Sequence, residues 1–316
     1  MRKTLLFITI LLSASYLLKA QTCCSGGSPI TSNLGIQEID AKSWYLQLSY
    51  DYNFLDALYS GTQKLNDQSR ERTTQTVMFQ AIYALNNKIS FNALLTRVKQ
   101  ERSIFSGENE NYTSASGVGD AVFMLQYSVL SNLKRNLVIA AGPKVPIGKF
   151  DATDPELGFA LAADLQPGSG SWDGIVGLSH SEFHVFNPNF TITGTLGYRI
   201  SSEGERFEGD TGYRFGNEFI ASLGFNESFI LGKNSLSPFA YLQYRHTRPD
   251  RIDDFDVPGT GGQWINLSPG FSFSPSNHID LNLSAEIPLY RNLKGTQLTT
   301  SHRFNIGLAI KLFNNK

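Results

Sequence analysis

Cysteine is nearly absent from this chain: its 316 residues contain only two, at positions 23 and 24. A disulfide framework needs several spaced cysteines, so a small cross-linked scaffold is excluded. The formal net charge is −1, which removes the electrostatic basis for nucleic-acid binding. After Leu18 no apolar run approaches the roughly 20 residues that a membrane-spanning helix needs. If the mature chain crosses a membrane, it must therefore do so as a closed β-barrel.

Aromatic residues and glycine, by contrast, are plentiful. Phe and Tyr contribute 22 and 13 residues, and Gly contributes 28. Aromatic side chains favour strands and glycine favours turns, so this composition suits a β-protein better than a helical one.

The N-terminus has the pattern of a secretory signal peptide. Two basic residues precede an apolar run at 5–18, and Ala20 supplies a small residue at a cleavage site. We expect a signal peptide at 1–20, a periplasmic N-terminal segment at 21–41 and a barrel domain at 42–316. The role and redox state of Cys23 and Cys24 are left open.

Most of the mature chain alternates between apolar and polar residues. Period two with one apolar and one largely polar face indicates strands that lie between two different environments. The alternating segments are 44–52, 77–83, 89–95, 121–129, 190–200, 265–273, 279–289 and 304–312. We predict an all-β fold, a transmembrane antiparallel up-and-down β-barrel. A soluble β-sandwich also alternates, but long strands and the export signal favour the barrel.

The connections between these segments alternate in length. Outer-membrane barrels combine short periplasmic turns with long outer loops, so we predict a location in the bacterial outer membrane. We count about twelve strands, and fourteen remain open if Phe159–Gln166 enters the wall. The connection at 226–235 is intermediate in length. The short connections lie near 85–88, 131–135, 185–188 and 274–277, and the long ones near 53–70, 102–115, 147–170, 201–212, 248–261 and 291–301.

The last alternating segment also resembles a sorting signal. Asn305–Leu312 has a polar residue, a glycine two positions later and then spaced apolar residues, as in the assembly signal of bacterial outer-membrane proteins. This predicts two partners, the barrel-assembly machinery and outer-membrane lipid.

Three internal stretches resemble one family of outer-membrane proteins. They are the Gly-x-Gly-Asp strand opening at 117–120, the Pro-x-Gly strand end at 146–148, and the Gln-Pro-Gly-x-Gly-x-Trp segment at 166–172. The family is named for the meta-pathway of phenol degradation, and the start at Cys23–Gly27 is similar to its Bacteroidetes members. The resemblance implies an outer-membrane barrel that passes hydrophobic or aromatic small molecules, and it implies no catalytic residues.

The candidate catalytic and cofactor motifs fail on their spacing. Val122 stands where a dinucleotide-binding loop needs its third glycine, and Phe150 stands where a phosphate loop needs Ser or Thr. None of the five histidines has a serine two residues away within a predicted strand, as a barrel lipase would require. The acidic loop at 250–256 lacks the regular ligand spacing of a calcium site. We therefore predict no enzyme activity, no cofactor and no metal.

The charged residues on inward-facing positions are the candidate functional residues. In a wide barrel they line water, and in a narrow one they pair and close the lumen. The candidate lumen-lining residues are Asp51, Asp120, Lys144, Asp173, Arg199, Arg214, Glu218, Asp280, Glu286 and Arg303, with Lys311 beside them. Two functions follow: a passive channel or transporter for small hydrophobic or aromatic solutes, or a non-conducting structural or surface-binding barrel.

Overall fold

The computed structural model describes residues 40–154, 158–204 and 212–312. The expected signal peptide, the cysteine pair and nearly all of the expected periplasmic segment lie outside these ranges. Within them, no helix is long and apolar enough to cross a membrane. The strands are β1 (Trp44–Gly61), β2 (Gln63–Lys64), β3 (Arg70–Ala84), β4 (Ile89–Ser106), β5 (Asn109–Val118), β6 (Ala121–Ser131), β7 (Arg135–Val145), β8 (Asp173–Phe183), β9 (Phe190–Ser201), β10 (Tyr213–Arg214), β11 (Glu218–Glu227), β12 (Phe229–Leu231), β13 (Asn234–Thr247), β14 (Arg251–Ile252), β15 (Phe255–Asp256), β16 (Gly262–Ser276) and β17 (Ile279–Leu312).

The main sheet closes on itself as an antiparallel barrel. Eleven strands form its ring, in the order β1, β3, β4, β6, β7, β8, β9, β11, β13, β16 and β17, and β17 returns to β1. Closure gives every wall strand two neighbours and leaves no sheet edge exposed to lipid. The predicted transmembrane barrel is confirmed.

The last strand crosses the wall twice. Its 34 residues would extend about 110 Å, although about 9–11 residues suffice to cross a bilayer. Its first half, to Leu293, pairs with β16, and the rest pairs with β1. The chain reverses near Gly295, whose φ of +75° suits a glycine. The eleven strands therefore make twelve crossings, which agrees with the predicted number.

Side chains sort by face as the alternation predicts. On β1, Leu48 is 52% exposed and Ser49 is 7% exposed. In a barrel the shielded face is the lumen and the exposed face meets lipid. The outward apolar band continues through Phe79, Phe91 and Phe123. Apolar residues thus cover the outside and polar residues the inside.

Several expected loops are in fact strands. The wall continues to Gly61 on β1 and to Ser106 on β4, and β17 holds its pairing through most of 291–301. On β4 the alternation disappears because both faces are polar beyond the apolar band. On β1 it disappears because register shifts at Leu55 put apolar residues on both faces, but backbone pairing continues on both strands. In the intermediate stretch, β12 folds onto the end of β13.

The segment Phe159–Gln166 does not enter the wall, so the fourteen-strand alternative is wrong. It contains a short 3-10 helix, Ala163–Leu165, and belongs to the connection between β7 and β8, which we call the inner loop (146–154 and 158–172). Its Leu161 and Leu165 are buried. Burial of these leucines holds the loop inside the barrel instead of on its rim.

Candidate functional site

A band of alternating charges runs around half of the inner wall. We call it the ionic belt: Asp120, Lys144, Asp173, Arg199, Glu218 and Arg245. In this order, each residue of the belt lies on the strand next to the one that carries the residue before it. Asp120 lies directly before its strand, β6. Lys144 Nζ lies 2.7 Å from Asp120 and 3.1 Å from Asp173. The sheet register places these side chains at one level, so opposite charges meet strand by strand.

The second half of the belt continues the alternation. Arg199 lies 3.8 Å from Asp173 and 3.3 Å from Glu218, whose other carboxylate oxygen accepts from Arg245 Nε. The Arg245 guanidinium stacks over the Trp264 ring, 5.0 Å from its centroid. The charges of the three acidic and three basic groups of the belt sum to zero. The belt therefore supplies rigidity without a net field that would favour ions of one sign.

Beneath the belt lies an apolar layer. Val122, Ile175 and Ile220 each stand two residues along the strand from a belt carboxylate and are at most 7% exposed. They pack with Met124, Val138 and Ala140, and Leu94 joins them from β4. A two-residue step keeps a side chain on the same face of a strand, so this layer also faces the lumen.

The inner loop brings the three family-like motifs to one place. Asp120, from the first motif, accepts from the backbone N–H groups of Gly148 at 3.3 Å and Ser169 at 3.1 Å. Lys144 contacts the hydroxyl of Ser169 as well. A Cβ on Gly148 would come within 2.7 Å of the Gly168 Cα. The glycines of these motifs thus permit close backbone packing.

A buried ion pair fastens the middle of the inner loop to β3. Arg72 Nη1 on β3 donates to Asp164 Oδ2 at 2.8 Å, and Arg72 is 1% exposed. Arg72 also donates to the Asp164 backbone oxygen and to Gln100. Gln100 donates in turn to the backbone oxygen of Gln166 at 3.1 Å. These contacts fasten the inner loop to β3 and β4, and those of Asp120 and Lys144 fasten it at the neighbouring strands β6 and β7.

On the side of the apolar layer away from the ionic belt, the lumen is open. A cavity of about 700 Å³ lies there, and Gln80, Asn136 and Thr195 are among its polar wall residues. The cavity adjoins a wide opening of about 1520 Å³ at the end of the barrel, and Tyr45 and Phe183 are among the residues that line both. The side chains of the lower lumen thus do not fill it.

The remaining charged candidates line this cavity as paired groups. Arg303 Nε lies 2.9 Å from Asp51, and Arg303 Nη1 lies 3.8 Å from Glu286. Lys311 lies 2.8 Å from Asp280 at the wide end of the lumen.

The structure places Arg214 away from the other candidates. It belongs to β10, which forms a separate three-stranded sheet with β14 and β15, and its side chain is exposed. Sequence reasoning missed four residues: Arg72, Asp164, Gln166 and Arg245. Arg245 lies on β13, where both faces carry polar and aromatic residues. The alternation alone could have found Arg72, because it shares a face with Met78.

One buried carboxyl organises the outer loops above the barrel. Asp250 accepts from the Tyr213 hydroxyl at 2.6 Å and from the Gly216 N–H at 2.8 Å. Burial raises its pKa above the usual range of an aspartate, although these hydrogen bonds oppose the shift. Among the described residues, no group of three or more His, Cys, Asp or Glu is arranged to hold a metal.

Comparisons with known proteins agree with this architecture. Residues 59–304 match the model of a family described as "Putative MetA-pathway of phenol degradation". An outer membrane channel from Pseudomonas putida F1 is 14% identical, with a TM-score of 0.68 over 89% of this chain and 100% of that one. The transport unit of the autotransporter AIDA-I from Escherichia coli is 10% identical, with a TM-score of 0.52 over 92% and 95%. At these identities the likeness establishes the fold alone. No curated protein sequence matches this chain.

Proposed function

The chain belongs to the family described as "Putative MetA-pathway of phenol degradation", and on that premise we propose that it is a passive outer-membrane channel for small hydrophobic or aromatic molecules. The outer-membrane location is part of the proposal, and the apolar outer band and the barrel fold support it. The predicted assembly signal at 305–312 lies within β17 and pairs with β1. Recognition of that signal by the assembly machinery stays a prediction, as does a Bacteroidetes origin.

The open lower lumen carries the proposal. Its volume of about 700 Å³ falls in the range of pockets that hold small organic molecules, roughly 300–1,000 Å³. A barrel with a purely structural role has no need of such a space, and side chains fill the interior of many narrow barrels. The cavity therefore favours passage of a solute over a structural role.

The chemistry of the lumen supports a neutral, partly hydrophobic solute. The belt carries three charges of each sign, and the cavity's arginine and lysine are both paired with carboxylates. Neither the belt nor the cavity therefore offers an unpaired charge to an ion. The apolar layer lies between the belt and the cavity, and two of its members, Leu94 and Val138, line the cavity. Apolar surface at this level can receive an apolar solute.

The inner loop is the barrier along this route. Its buried contacts to Arg72 and Lys144, and the packing of its Ala163 against Tyr213, Phe215 and Val257, hold it above the apolar layer. Solute passage therefore requires the loop to shift, and diffusion down a gradient drives it. If the loop never shifts, the protein is the alternative, a structural or surface-binding barrel.

Planar-bilayer conductance of the refolded protein tests the proposal. We expect discrete current steps that p-cresol shortens and that sucrose at the same concentration does not. Folding is verified separately by the slower gel mobility of the heated sample. If folded protein gives no current steps and cells that express it show unchanged p-cresol uptake, the protein is the alternative, a structural or surface-binding barrel.

A further inference from the structure

The inner face of β13 carries two aromatic side chains in an otherwise polar series. Phe239 and Tyr241 line the lower cavity, whereas Leu242, between Tyr241 and the next inward residue, is 48% exposed on the lipid side. Aromatic and polar residues on both faces of this strand obscure the alternation, and only the strand register assigns its faces. We call Phe239 and Tyr241 the aromatic corner.

Glycines on the two neighbouring strands make room for these rings. Gly224 of β11 stands opposite Tyr241, and Gly270 of β16 stands opposite Phe239. A Cβ at Gly224 would collide with the Tyr241 ring, and a Cβ at Gly270 would collide with the Phe239 ring. Each ring therefore leans over a neighbouring strand instead of projecting across the lumen. The rings line the cavity without filling it.

The two rings form an angled surface. Their centroids lie 5.6 Å apart and their planes meet at 57°. Such a pair can offer ring faces or edges to a third aromatic ring, which prefers offset-stacked or edge-to-face contacts. Among the described residues the Tyr241 hydroxyl has no hydrogen-bond partner. The polar neighbours that also line the cavity are Ser222, Asn226, Ser237, Ser268 and Ser272.

We propose that the aromatic corner is a binding subsite for a neutral, planar aromatic solute with one hydrogen-bonding group. This inference rests on the proposed channel function and adds the place where the solute pauses. The rings supply the planar contact, and the Tyr241 hydroxyl and the surrounding serines supply the polar partner. A cation is disfavoured because every charged group of the cavity is paired within the chain.

A purely structural role is the other explanation for the same rings. An aromatic side chain that covers a glycine on a neighbouring strand can stabilise a sheet without any ligand. The two roles differ in one measurable respect, because only a subsite distinguishes an aromatic solute from a saturated one of the same size.

The test is fluorine NMR of 4-fluorophenol with the refolded full-length protein. We expect saturable line broadening that p-cresol reverses, whereas the saturated analogue 4-methylcyclohexanol competes at least tenfold more weakly. Phe239→Leu and Tyr241→Leu keep an apolar side chain and remove a ring, and each should weaken binding at least tenfold. Tyr241→Phe separates the contribution of the hydroxyl from that of the ring.

Phe271→Leu is the matched control. Phe271 lies on the lipid side of β16, next to Gly270, and should leave binding unchanged. Equal binding by the wild type and both ring variants, or equal competition by the saturated analogue, would overturn the subsite.

Conductance of the same proteins separates the two proposals. Current steps together with ring-independent binding would remove the subsite and keep the channel. Ring-dependent binding in a barrel that shows no current steps and leaves p-cresol uptake by cells unchanged would remove the channel and keep the subsite.

Discussion

Releasing the inner loop should open the barrel, and Asp164→Asn is the perturbation that tests this. Asp164 anchors the loop to β3, where Arg72 donates to its carboxylate at 2.8 Å. The substitution keeps the shape of the side chain and removes its charge. It leaves a buried guanidinium without its carboxylate partner.

The magnitude follows from burial. Removing one partner of a buried ion pair costs about 3–5 kcal/mol. An asparagine oxygen can still accept one hydrogen bond from Arg72, which recovers about 1 kcal/mol. The remaining 2–4 kcal/mol corresponds to a roughly 30- to 1,000-fold rise in the ratio of released to docked loop, because about 1.4 kcal/mol is a factor of ten.

Single-channel recording in planar bilayers measures that ratio as open time against closed time. Asp254→Asn is the control, because Asp254 also lies in an outer connection and pairs with an arginine, but its side chain is 97% exposed. An exposed pair contributes about 0–1 kcal/mol, so this variant should behave like the wild type. Arg72→Gln removes the same pair from the wall side and should match Asp164→Asn. If both folded variants keep the open fraction of the control, the inner loop is not the barrier.

Three further variants test the belt, the motif glycines and the outer loops. Lys144→Met leaves the buried Asp120 without its cationic partner and takes from Asp173 the nearer of its two, so we expect a loss of about 3–5 kcal/mol in urea unfolding from lipid vesicles; an unchanged midpoint would contradict a structural role for the belt. Gly148→Ala should lower the refolding yield, because its Cβ would meet backbone at 2.7 Å, whereas Gly174→Ala, with nothing within 4 Å, should refold normally. Burial raises the pKa of Asp250, so the folded outer loops bind its proton more tightly than the unfolded chain. Their stability should be highest below the unfolded pKa of about 3.9 and should fall as pH rises through the raised value. Asp250→Asn should remove that dependence in limited proteolysis between pH 4 and 8, and an unchanged pH profile would refute the assignment.

The strands of the barrel wall were predicted from the alternation of apolar and polar residues, which has a period of two. The structure confirms the barrel because this alternation reflects the two faces of a strand. On β1, outward Leu48 and inward Asp51 differ in face because side chains alternate strictly along a strand. The same rule placed Asp120, Lys144 and Asp173 on the inner side before any partner was known. Beyond Tyr52 on β1, register shifts put apolar residues on both faces, so the two faces can no longer be told apart by polarity, and a strand was predicted to be a loop.

The sequence by itself thus determined the class of the protein: a barrel with twelve crossings, an apolar exterior and charges within. These features follow from local patterns, because alternation, turn length and the absence of long apolar runs are all readable along the chain. Only the tertiary structure decided which charges meet. The register between strands joins the belt, and the path of the inner loop brings Asp164 to Arg72, 92 residues earlier in the chain. Neither pairing can be recognised from neighbouring residues in the sequence. The belt depends on the shear of the strands and the loop contact on burial of the loop, and both are properties of the whole closed sheet. The same holds for the aromatic corner, whose space is supplied by glycines on two other strands.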